Sequence, residues 1–96
     1  MHATIVIMKV VILYRPESEH ARSIETFVRD FSMRNPNIRL ETLNVDERDG
    51  IAKCEVYGIM RYPALLAVAE DGRLIKLWND DMLPLMDEVA SYAYSG

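Results

Sequence analysis

The chain has 96 residues and a mass of 11.0 kDa, room for one small domain, 1–96, with residues 1–7 as a possible strand extension at its start. Half its residues are hydrophobic, 27% are charged and the mean hydropathy is −0.05, which excludes a disordered tail, a collagen-like repeat and a low-complexity linker. Eleven basic against fifteen acidic residues leave a net charge of −4, the opposite of the basic face that nucleic acid requires.

The longest apolar run covers residues 3–14, broken by Lys9, and falls well short of the ~20 residues of a membrane-spanning helix. No basic residue precedes it, and Tyr14-Arg15-Pro16-Glu17 is a poor signal-cleavage site, so the expectation is a cytoplasmic protein without a membrane anchor. Its Ile and Val content without alternation predicts a central strand covered on both faces, with the packed part beginning near Met8-Lys9. Pro16 then occupies the expected first turn of a helix. Ala21, Ile24, Phe27, Val28 and Phe31 supply its apolar stripe, and Asn35-Pro36 ends it near Met33-Arg34.

Ile38, Leu40, Leu43 and Val45 read as a second strand, stopped by the polar stretch 46–50. A short helix is expected over 51–57, with Gly58 as its C-terminal glycine. Residues 64–69 form the next strand, Asp71-Gly72 marks a tight hairpin, and 74–78 returns antiparallel. Asn79, Asp80 and Asp81 then read as caps of a last helix with Pro84 in its first turn. Met82, Leu85, Met86, Val89 and Ala93 would line one face of it. The order β-α-β-α-β-β-α predicts an α/β domain with a four-stranded mixed sheet, its helix-linked strands parallel and crossed over right-handedly.

This order resembles the thioredoxin superfamily in its short, glutaredoxin-sized form. The likeness rests on the strand-to-helix junction 13–21 and on Val56-Tyr57-Gly58-Ile59-Met60-Arg61-Tyr62-Pro63-Ala64-Leu65-Leu66, which is similar to the segment carrying that family's cis-proline. The resemblance implies a thioredoxin-like three-layer sandwich, a cis bond before Pro63, and redox cysteines at Ser18 and Ala21. Neither position holds a thiol. Serine stays protonated near neutral pH and forms no disulfide, so dithiol exchange lacks its nucleophile and its resolving group. Ser18 is expected instead to cap the helix. Ile12 stands near the place of the family's buried acid.

The resemblance also implies a surface where the junction, the proline loop and the turn before the last helix meet, carrying Tyr14, Arg15, Ser18, Arg61, Tyr62, Pro63, Trp78, Asn79 and Asp80. Aromatic side chains beside arginines are what binding surfaces enrich. Family members take an extended protein or peptide segment, or glutathione, through the backbone of the residue before the proline, here Tyr62. The paired glycines that glutaredoxins use for glutathione are replaced by Trp78-Asn79-Asp80-Asp81, which makes glutathione the weaker expectation.

The sole cysteine, Cys54, rules out a disulfide framework and a cysteine-built zinc site. It reads as a half-buried packing residue near Ile51. The enzymatic alternative is a monothiol oxidoreductase using Cys54, or a glutathione-dependent enzyme using Ser18. Ser18 and His20 lie two residues apart and point to different faces, which predicts an exposed His20 and no hydrolase pair. His2 and His20 are too scattered to hold a metal, and no glycine-rich loop suggests a phosphate cofactor, so no cofactor is expected. A third reading is an assembly subunit recruited at an edge strand, with the oligomeric state open.

Overall fold

The computed structural model describes residues 5–6, 8–80 and 82–95. In chain order these form β1 (Ile5–Val6), β2 (Met8–Tyr14), α1 (Ala21–Arg34), β3 (Arg39–Asn44), α2 (Arg48–Tyr57), β4 (Ala64–Ala69), β5 (Leu74–Trp78), α3 (Met86–Ser91) and β6 (Tyr94–Ser95). The main sheet has the order β3-β2-β4-β5: β2 runs parallel to β3, while β4 pairs antiparallel with β2 and with β5. A separate ribbon joins β1 to β6, and the rest of the expected extension, residues 1–4 and 7, lies outside the described residues.

Strand alternation divides β2 between two cores. Val10 and Ile12 pack with Ile24, Phe27 and Phe31 of α1 and Val89 of α3. Val11 and Leu13 pack on the opposite face with Cys54 of α2, Leu66 and Val68. The expected α/β sandwich is therefore present: one sheet, two helices on one face and one on the other. No helix among the described residues is long and apolar enough to cross a membrane.

Three helix starts differ from expectation. α1 begins at Ala21, because residues 16–20 are spent on two turns, Ser18 N–H to Arg15 C=O and Ala21 N–H to Ser18 C=O. α2 begins three residues early, at Arg48, so part of the polar stretch is helix and not loop. α3 begins at Met86: a residue before proline is driven out of the helical region, and Leu83 precedes Pro84. Asn79 and Asp80 accordingly cap nothing, Asp81 lies outside the described residues, and Met82 and Leu85 are exposed instead of lining a buried face. Gly58 does close α2 in the left-handed conformation, φ 66°.

Candidate functional site

The parallel pairing of β2 and β3 brings their C-terminal ends side by side, with Tyr14 opposite Asn44 and the Val45 N–H bonded to the Tyr14 carbonyl. β4 runs the other way, so its N-terminal approach, Tyr62-Pro63, arrives at the same end, and the Tyr62–Pro63 peptide bond is cis. In open α/β sheets this carboxyl end is where ligands bind.

Pro16 is second in the turn from Arg15 to Ser18, where its fixed φ suits the bend. The Ser18 hydroxyl donates to the Arg15 carbonyl at 2.6 Å. It does not cap α1, as the sequence had suggested; the N-cap is His20, which makes no side-chain cap bond. His20 is half-buried and not exposed: its Nε2 accepts the Arg15 N–H at 3.3 Å, and its ring lies 6.3 Å from that of Tyr14. Burial, and then the Arg15 charge, lower its pKa below the ordinary histidine value.

Arg15 reaches across to Asp46, Nε and Nη2 donating to the two carboxylate oxygens at 2.8 and 3.1 Å. Its guanidinium carbon also stands 5.9 Å over the Tyr62 ring, within cation–π range. Asp46 is held in turn by its own N–H donating to Asn44 Oδ1 at 2.9 Å. The bonds from Arg15 keep the Asp46 carboxyl below the usual carboxylate range. That contribution is complete above the ordinary carboxylate pKa and is lost as the pH falls through the depressed folded value.

Tyr62 packs against the core that holds Cys54. Interaction with that thiol, then burial, raises the Tyr62 pKa. Cys54 is 8% exposed, more buried than its sequence context suggests, and sits among Val11, Leu13, Val45 and Ile59. Beside them opens a mostly apolar cavity of about 450 Å³, to which Val45, Ile51, Cys54, Ile59, Met60 and Tyr62 contribute walls.

The expected binding surface is thus assembled only in part. Arg15, Ser18, Arg61, Tyr62 and Pro63 come to one end of the sheet, joined by Asp46 and Cys54. Trp78, paired with Leu65, closes β5 at that same end, but its side chain turns away from the group. It is 9% exposed, packed in the α1/α3 core, with its Nε1–H donating to Glu88 at 2.9 Å and Tyr92 edge-on at 5.5 Å. Tyr14 leans into that same core. Asn79 is half-buried and Asp80 exposed. Asp46 escaped the sequence reading, although a parallel pair whose strands end at Tyr14 and Asn44 does place the two following turns together. Among the described residues no three His, Cys, Asp or Glu side chains gather as they would around a metal ion.

No protein-family model matches the sequence, and no curated protein matches it significantly. Solved structures do. The oxidised thioredoxin of Plasmodium falciparum superposes with a TM-score of 0.73 at 17% identity, covering 92% of this chain and 83% of that one. Thioredoxin O1 of Arabidopsis thaliana gives 0.72 at 15% identity, over 94% and 80%. Trichomonas vaginalis thioredoxin gives 0.71 at 13% identity, over 90% and 79%. With sheet order, helix placement and these likenesses in agreement, the chain has a thioredoxin-like fold.

Proposed function

We propose that this chain is a thioredoxin-fold binding module, without redox activity of its own, that takes an extended protein or peptide segment at the groove around Tyr62 and Pro63. The observation that carries this reading is the position of sulfur. The sole thiol, Cys54, is buried behind Tyr62 on α2, while the strand-to-helix junction offers a Ser18 hydroxyl already bonded to the Arg15 carbonyl. A thiolate nucleophile needs a cationic or helix-N-terminal setting and access to its disulfide. What the site does offer is recognition chemistry: an arginine–carboxylate pair, an aromatic face and an apolar cavity. A lone thiol stays reduced in the cytoplasm, where we place the protein.

Two assays test the reading. Reduction of insulin and of a glutathione mixed disulfide is expected at background for wild type, Cys54→Ser and Ser18→Ala alike. Turnover that vanishes with Cys54 would make this a monothiol enzyme, and turnover that vanishes with Ser18 a glutathione-dependent one. A displayed library of unstructured peptides, selected on wild type, is expected to yield binders that Arg15→Glu and Tyr62→Ala each weaken roughly tenfold, about 1.4 kcal/mol. Binders held equally by both variants would sink the groove assignment.

A further inference from the structure

Arg15 is gripped at its backbone as well as its side chain. Its N–H donates to His20 Nε2, its carbonyl accepts from the Ser18 hydroxyl and the Ser18 N–H, and its guanidinium binds Asp46 and covers Tyr62. The first of these bonds has a chemical condition attached. Nε2 accepts only while it carries no proton, which puts the ring hydrogen of neutral His20 on Nδ1. An imidazolium has N–H donors at both nitrogens and no acceptor, so the protonated ring would set an N–H against the Arg15 N–H at 3.3 Å.

Burial and the Arg15 guanidinium oppose that proton. From the end of β2 it faces the Tyr14 ring and the Arg15 peptide and guanidinium, with Asp46 from the β3–α2 turn standing beyond the guanidinium. Glu17 and Glu19 flank it on its own turn, exposed, and no carboxylate among the described residues pairs with it. His20 is moreover the N-cap of the 14-residue α1, where the helix dipole presents its positive end.

We infer that His20 is a proton-operated latch on Arg15: the neutral imidazole holds the Arg15 peptide, and protonation releases it and loosens the guanidinium from Asp46 and the Tyr62 ring. The sign follows from the direction of the pKa. A histidine pKa lowered by folding means that the unfolded chain binds the proton more readily. The latch is therefore closed above the ordinary value of 6.5 and opens as the pH falls through the lower folded value. Asp46 titrates in a separate, more acidic step, below its ordinary 3.8. The consequence for a bound ligand rests on the function proposed above; the latch itself does not, so it is tested on the free protein.

The test is an NMR titration of the full chain from about pH 8 to about pH 5, with His20→Gln alongside to assign its signals. The His20 midpoint is expected below 6.5. The Arg15 amide should shift with that same midpoint, and the Arg15 Nε–H signal, protected by Asp46, should be lost to water exchange in step with it. In His20→Gln the Arg15 signals should stay flat across the range. A midpoint at or above 6.5, or Arg15 signals that ignore the His20 titration, overturns the latch, and the wild-type curve alone is enough to show either. A library that yields no binders, or only binders held equally by Arg15→Glu and Tyr62→Ala, would instead reject the ligand and leave the latch standing if the titration is intact.

Discussion

Trp78→Ala is expected to cost about 4 kcal/mol of folding stability, lowering Tm by roughly 15–30 °C in a domain of this size. Its indole fills the core between the sheet and α3, beside Leu65, Val89 and Ala93, so truncation leaves a cavity that the rigid strands cannot close. The Nε1–H bond to Glu88 and the edge contact with Tyr92 go with it. Trp78→Phe keeps most of the packing and loses the N–H, and should cost about 1–2 kcal/mol. Thermal and urea unfolding of the two variants separate the possibilities. A groove residue, as the sequence alone suggested, could be cut to alanine with a melting curve close to wild type, and that outcome would move Trp78 back to the surface.

Gly50→Ala should lose about 3 kcal/mol, against the direction that helix propensity dictates. Alanine in place of glycine inside a helix ordinarily gains about 1 kcal/mol. Here a Cβ on Gly50 would stand 2.6 Å from the Asn44 carbonyl carbon and closer still to its oxygen, with the Val45 Cα at 3.1 Å. These are backbone atoms at the end of β3, fixed by the ladder with β2, so α2 itself must move. Gly58→Ala is the control. It meets nothing within 4 Å and suffers only from its positive φ of 66°, a penalty of about 1 kcal/mol. Should Gly58→Ala prove the more damaging of the two in denaturant titration, the close approach of α2 to β3 is wrong.

What the sequence made legible was whatever depends on neighbours along the chain. The unalternating run of β2, the Asp71-Gly72 hairpin and the Gly58 helix stop each follow from a few adjacent residues, and each stands where expected. The helix starts were harder. Asp46 to Gly50 is as good a turn composition as a helix N-terminus, and what makes Gly50 necessary is a strand six residues back, invisible to local pattern. Pro84 fits a first helical turn by rule, yet its constraint on Leu83 falls where the helix would have begun. The site was half legible for the same reason. Arg15 and Tyr62 could be named from the resemblance, but Asp46 and Cys54 enter only through the crossover that brings β3 and α2 beside them. Trp78 was misassigned because one residue of strand alternation decides between core and rim.

The central position of β2 has a practical consequence in deuterium exchange. Its residues are paired along both edges, Lys9–Tyr14 to β3 and Met8–Leu13 to β4, so its buried amides can exchange only when the sheet comes apart. The amide of Arg15, just past the last rung, hangs on an imidazole instead of a strand. Uptake at Val10–Leu13 thus gauges global unfolding, while uptake at residue 15 gauges opening of the junction alone. A single exchange time course can therefore tell a substitution that weakens the whole domain from one that only unseats the candidate site.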